Sequence, residues 1–278
     1  MKAETFKLAR DIAQSKWLVA YPDKLLPVAR AFLSRAPLEM EVQASALSEV
    51  TDPSSKESSP KKVAVVPLHG TMTKYQTCES YGATYFAGKI KEAADDKDVV
   101  GIVLDIDSGG GSSYAVPPFL EAIGYARGKG KPVFAHVDMC GSAAYWVASQ
   151  CDAIYMDNPM SEVGSVGCYY VMYDTSAADP LTGIKEITIY SRKSTAKNLA
   201  YRKALEGDLE PAMDELDEFV KHFQDAVVAG RPGISKDAEG VLSGKMFESA
   251  EAIRLGMADA VKTLDETIEV VFALAEID

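Results

Sequence analysis

A chain of 278 residues, 47% of them hydrophobic, can bury one sizeable core, or one domain with an appendage. Its formal charge of −12 excludes general affinity for nucleic acid, which needs clustered Lys and Arg against phosphates. No run reaches the ~18 apolar residues of a membrane span, and the charge-broken opening MKAETFKLARDIAQ lacks the apolar stretch of a secretory signal, so a soluble cytoplasmic protein is expected.

Residues 1–47 carry apolar positions at spacings near 3.6 (Phe6, Ala9, Ile12, then Leu25, Val28, Ala29, Phe32), which predicts a helical N-terminal segment. The polar stretch 48–62, SEVTDPSSKESSPKK, reads as a linker because it offers little to bury. The body is therefore expected over 63–278. It opens with a strand at 63–70, a helix at 82–96 and a Val/Ile-rich strand at 98–107. A helix at 115–129, a strand at 131–138 and a helix at 142–150 follow, then strands at 153–157, 166–174 and 185–191. The last third reads as helical: 207–229 sets Leu209, Met213, Leu216, Phe219, Phe223 and Val227 on one stripe, with further helices near 235–242 and 248–256. Near-continuous apolar strands alternating with helices predict an α/β fold whose sheet is covered on both faces.

Three segments use residues that pack poorly and suit catalysis. DSGGG at 107–111 follows a buried strand; its glycines expose backbone N–H groups, as an oxyanion hole requires, although a tight turn would use them too. The phosphate-loop patterns G-x-x-x-x-G-K-[ST] and G-x-G-x-x-G are absent. MCGSAAYWVAS at 139–149 surrounds Ser142 with small residues at a strand-to-helix junction, where the serine can be a nucleophile, a helix cap, or both. Its spacing is not G-x-S-x-G. Ala143, Ala144, Tyr145 and Trp146 crowd this position, which predicts a small or apolar residue before the scissile bond. SEVGSVG at 161–167 adds Ser165, either a turn residue or a hydroxyl that orients a base.

A serine nucleophile needs a base. Of the three histidines, His69 and His136 lie on strands and His222 lies on the acidic helix, so a Ser-His-Asp triad is not favoured. Lysine is the alternative, and the segment 190–203 offers Lys193, Lys197 and Lys203. The cysteines Cys78, Cys140, Cys151 and Cys168 form neither a C-x-x-C pair nor a metal-ligand spacing; buried reduced thiols are expected, with Cys140 ranked below Ser142 as a nucleophile.

With these segments in hand, the chain resembles the signal peptide peptidase A family of serine peptidases, and more closely its phage and prophage head-maturation branch. The resemblance runs from about Val63 to Val261. It rests on LDIDSGGGSS (family pattern N-S-P-G-G-S), GSAAYWVAS, the run from Cys151 to Val166 and the closing FESAEAIRLGMADAV. It implies a crotonase-like fold and a Ser-Lys dyad without metal or cofactor. Ser142 would be the nucleophile and Lys197, in STAKNL, the base, with Lys193 its rival. Ser165 would hydrogen-bond the lysine, and the amides of Gly110 and Ala143 would form the oxyanion hole. Gly109 stands where the family has proline. The resemblance further implies a homo-oligomeric ring whose sites can be shared between subunits. It points to a polypeptide substrate, scaffold or capsid protein, cut in a host cytoplasm or prohead without nucleic acid or membrane. An acyl-CoA hydratase or isomerase of the same fold, and a non-catalytic capsid or scaffold component, are the rival readings.

Overall fold

The computed structural model describes residues 17–19, 48–51, 61–76, 81–169, 171–172 and 187–275. In chain order these form β1 (Trp17–Val19), β2 (Ser48–Thr51), β3 (Lys62–His69), α1 (Ala83–Asp95), β4 (Val99–Ser108) and β5 (Gly110–Ser112). After a 3-10 turn come α2 (Val116–Gly128), β6 (Val133–Gly141), α3 (Ala143–Ala148), β7 (Ala153–Met156) and β8 (Glu162–Gly164). The chain then builds α4 (Leu199–Leu205), α5 (Glu210–Gly230), β9 (Met246–Glu248), α6 (Ser249–Arg254), β10 (Ala260–Val261) and α7 (Leu264–Ala275). Among the described residues no helix is long and apolar enough to cross a membrane.

The main sheet runs β10-β7-β6-β4-β3-β2, with β8 beside the end of β6 and β9 beside β8. Strands β3, β4, β6 and β7 are parallel, as expected of α/β chains in which helices return each strand to the same end. Alternation along the strands feeds two cores. Ala64, Val66, Ile102, Leu104, Ala135 and Ile154 meet the apolar sides of α1 and α2 (Ile90, Phe119, Ile123) and of α3. Val63, Val65, Val103 and Phe134 meet Ile268 and Val271 of α7 on the other face. Both faces are covered, which explains why these strands read as unbroken apolar runs. Each fully buried Ile, Leu or Phe contributes about 1.5–3 kcal/mol over an exposed one, so α7 is part of the body and not an appendage.

Five expectations differ from the structure. Ser48–Thr51, read as the start of the linker, pairs antiparallel with β3 as an edge strand. Its side chains are exposed, so it carries no apolar signal. Of the rest of the linker, 52–60 lies outside the described residues and Lys62 already opens β3; most of the helical segment 1–47 also lies outside them, and its described piece, Trp17–Val19, is strand. Of the strand expected at 166–174, the described residues hold only a bridge at Tyr169, with 170, 173 and 174 outside the described residues, and a strand forms just before it at Glu162–Gly164. Of 185–191, the described residues 187–191 hold no strand. Residues 235–242 make successive turns instead of a helix, with Gly240 at φ +87°.

Candidate active site

Ser142 sits where β6 ends and α3 begins. Its backbone has φ 55° and ψ −119°, a conformation that costs a non-glycine residue roughly 1–3 kcal/mol. The strain is held by packing. Ala143, Ala144 and Tyr145 are fully buried, and the Tyr145 hydroxyl donates to the Met257 carbonyl at 3.0 Å. Trp146 stacks on Phe223 of α5 at 4.7 Å. Tyr145 and Trp146 thus anchor α3 to the core instead of crowding the serine, which removes half of the basis for expecting a small or apolar residue before the scissile bond.

The loop after β8 wraps the serine. Ser142 N–H donates to the Gly164 carbonyl at 2.8 Å, and Ser142 Oγ to the Gly167 carbonyl at 3.4 Å. Gly164 has φ +133°, and a Cβ there would lie 2.4 Å from the Lys245 carbonyl, so only glycine fits. Ser165 lies beside it at φ 53°, its N–H donating to the same Lys245 carbonyl at 2.9 Å. The segment FESAEAIRLG thereby acquires a structural role. Its strand β9 pairs with β8, and Ser249 Oγ donates to the Asn158 carbonyl at 2.6 Å, tying down the turn that leads into β8.

The glycine run lies on the other side. A register shift between Ile106 and Asp107 pairs Ser108 with Cys140, so the 109–111 loop leaves the sheet beside the Ser142 turn. Strand β5 packs against α3. Gly110 has φ 96°, and a Cβ on Gly111 would lie 2.2 Å from the Met72 carbonyl. The Gly110 N–H donates to Ser108 Oγ at 3.1 Å in this geometry, and Ser108 Oγ donates to the Gly70 carbonyl at 2.5 Å. Ala143 opens α3, and first-turn amides have no partner inside a helix.

The structure thus brings together Ser142, Ser165, Ala143 and the Gly110 loop. It does not bring the lysines to them. Lys193 and Lys197 are exposed, and among the described residues neither ammonium makes a hydrogen bond or ion pair. Lys197 N–H donates to the Ser194 carbonyl at 3.2 Å, in the turn before Asn198, a left-handed residue at φ 53° that starts α4. Lys203, on α4, pairs with Glu206 at 3.0 Å. Of the cysteines, Cys140 is wholly buried and burial pushes its thiol well up, while burial pushes Cys151 up to about 12. Neither is a competing nucleophile.

The histidines do other work. His136 Nδ1 meets Asp105 at 2.9 Å and its Nε2 meets Asp157 at 3.1 Å, while His69 Nε2 meets the second oxygen of Asp105 at 3.1 Å. Burial alone would raise Asp105; hydrogen bonds from His136 and His69 outweigh it and hold the carboxyl well below its usual range. The hydrogen bond to Asp105 raises His69. Sequence reading missed this chain of four. A signal existed, since His136 and Asp105 interrupt apolar strands, but only the strand register pairs them. His222 is exposed on α5, as expected.

Comparison with known proteins meets this geometry. The model of Peptidase family S49 matches residues 125–278, which includes Ser142, the loop around Ser165 and both candidate lysines. Protease 4 of Haemophilus influenzae is 25% identical over 228 residues, covering 80% of this chain and 36% of that protein. The head-tail preconnector protein GP5 of Enterobacteria phage P21 is 28% identical over 216 residues, covering 75% and 42%. The capsid assembly protease C of Escherichia phage lambda is 27% identical over 214 residues, covering 75% and 48%. The chain therefore spans less than half the length of each of these relatives. Bacterial and phage proteases both stand among the matches, as the sequence resemblance anticipated. On the family match over more than half its length, the chain belongs to Peptidase family S49.

Proposed function

We propose that the chain is a serine endopeptidase of crotonase-like fold working through a Ser142–Lys197 dyad. The observation that carries this is Ser142 itself: a serine held at positive φ on a strand-to-helix turn, its hydroxyl enclosed by the 164–167 loop. Lys197 takes the Ser142 proton as Oγ attacks the peptide carbonyl. The oxyanion is met by the Ala143 and Gly110 amides, the latter released from Ser108. Collapse breaks the C–N bond, the lysine protonates the leaving amine, and the acyl group stays on Oγ. The same lysine then deprotonates a water that releases the acid. Ser165 orients the lysine.

In this reading the lysine of each site comes from a neighbouring subunit of a homo-oligomeric ring, which is compatible with an exposed Lys197 that contacts no Ser142 atom among the described residues. Exposed Ile187, Ile189, Leu199, Leu205, Leu209 and Met213, flanking Lys197 on both sides in sequence, support burial of this region between copies. The phage relatives support a scaffold or capsid polypeptide as substrate, cut inside a prohead or host cytoplasm. The test is gel-based proteolysis of a scaffold-like substrate by the assembled protein. Ser142→Ala and Lys197→Ala should each abolish cleavage with assembly intact. Loss in Ser142→Ala with full activity in Lys197→Ala moves the base to Lys193, and no cleavage by wild type in any assembled state rejects the peptidase reading.

A further inference from the structure

Strand β5 carries the glycine run and has two edges. One is taken by Met72, whose N–H donates to the Gly110 carbonyl and whose carbonyl accepts from Ser112 N–H, both at 2.9 Å. Residues 110 and 112 therefore turn these groups toward Met72. Alternation then turns both polar groups of Gly111 to the opposite edge. That edge is occupied by the chain's own β1, antiparallel, with Trp17 opposite Ser112, Leu18 opposite Gly111 and Val19 opposite Gly110. Leu18 is thus the residue whose N–H and C=O both exchange hydrogen bonds with Gly111.

The location gives this pairing its meaning. β5 packs against α3, which begins immediately after Ser142, and the strand before β5 is in register with Cys140. The direction of β1, from Ser112 toward Gly110, carries the segment toward the serine turn. An extended peptide laid on a glycine edge beside a nucleophile is held as a substrate would be held, by backbone bonds that place a carbonyl near the serine. We propose that residues 17–19 are an internal occupant of the substrate edge, so that the chain is self-occluded until this strand leaves β5. The same pairing defines the ligand class: an extended peptide added as an antiparallel strand to Gly110–Ser112. The inference rests on the proposed peptidase site for its purpose, although the occlusion itself is a binding claim.

It is tested on the full-length chain carrying Ser142→Ala, with and without Leu18→Pro, which removes the N–H that faces Gly111. The probe is a fluorescein-labelled peptide of residues 14–22, QSKWLVAYP, followed by anisotropy. A tethered strand competes at an effective concentration near millimolar, so Leu18→Pro should tighten probe binding by about ten-fold or more. Amide exchange at Gly111 should rise in parallel, a readout that needs no ligand. Equal binding and equal exchange in the two proteins overturn the proposal, as does tighter binding that Gly111→Pro leaves intact. If the Leu18→Pro difference appears but no version with Ser142 restored cleaves any peptide, the occlusion stands and the peptidase reading fails.

Discussion

Gly164 joins three demands at one position. Its carbonyl accepts the Ser142 N–H at 2.8 Å, its φ is +133°, and the Lys245 carbonyl leaves no room for a Cβ. Gly164→Ala should therefore shift the 164–167 loop and misplace Ser142. A displacement on the order of 1 Å at a nucleophile costs about 10²-fold in rate. Cleavage assays beside thermal unfolding check this: activity should fall far more than stability, and an unchanged rate would separate the loop from catalysis. The place of Ser142 at a strand-to-helix turn was legible in sequence because Gly141, Ala143 and Ala144 leave it surrounded by small residues at a strand end. The surroundings of the candidate bases were not, since Lys193 and Lys197 sit in a polar segment whose composition looks the same whether it is solvated or docked. The commitment of Gly110 N–H to Ser108 Oγ was beyond sequence, because it depends on a register shift that no local pattern announces.

At the scale of elements, β3, β4 and β6 are joined by hydrogen bonds of side chains as well as backbone. Asp105 on β4 holds His69 from β3 and His136 from β6. Asp105 lies below its unfolded value, so its contribution is present above ~3.9 and is lost as pH falls toward the folded value. His69 lies above its unfolded value, so its contribution is complete below ~6.5 and is lost as pH rises through the folded value. Asp105→Asn should cost about 1–3 kcal/mol by taking the carboxylate from the buried His136 ring. The gap from wild type should be widest at roughly pH 5–6 and shrink on both sides in urea unfolding. A gap independent of pH would contradict the cluster's role. The parallel strands were legible because both faces are buried and each run is apolar. β2 was not, since an exposed edge strand such as SEVT has the composition of a linker. The expected helix at 235–242 failed because Gly240 and Gly244, both at positive φ, turn the chain to deliver Lys245 and β9 to the serine loop.

At the scale of the whole molecule, one chain assembles Ser142, the 164–167 loop and the glycine edge, while Lys193 and Lys197 stay exposed. A site completed by a neighbour has a distinctive consequence. Inactive Ser142→Ala and inactive Lys197→Ala, once co-assembled, should regain part of the wild-type activity, because some sites then receive both wild-type residues. Mixtures that stay inactive after subunit exchange, shown by native mass spectrometry, would put both residues in one chain. Upstream of all of this stands the claim that Ser142 is the nucleophile. It is tested most directly by treating the assembled protein with a fluorophosphonate and locating the adduct by peptide mass spectrometry. One adduct on Ser142, absent in Ser142→Ala, is the predicted result. An assembled protein that stays unlabelled, or is labelled at another residue, would contradict it.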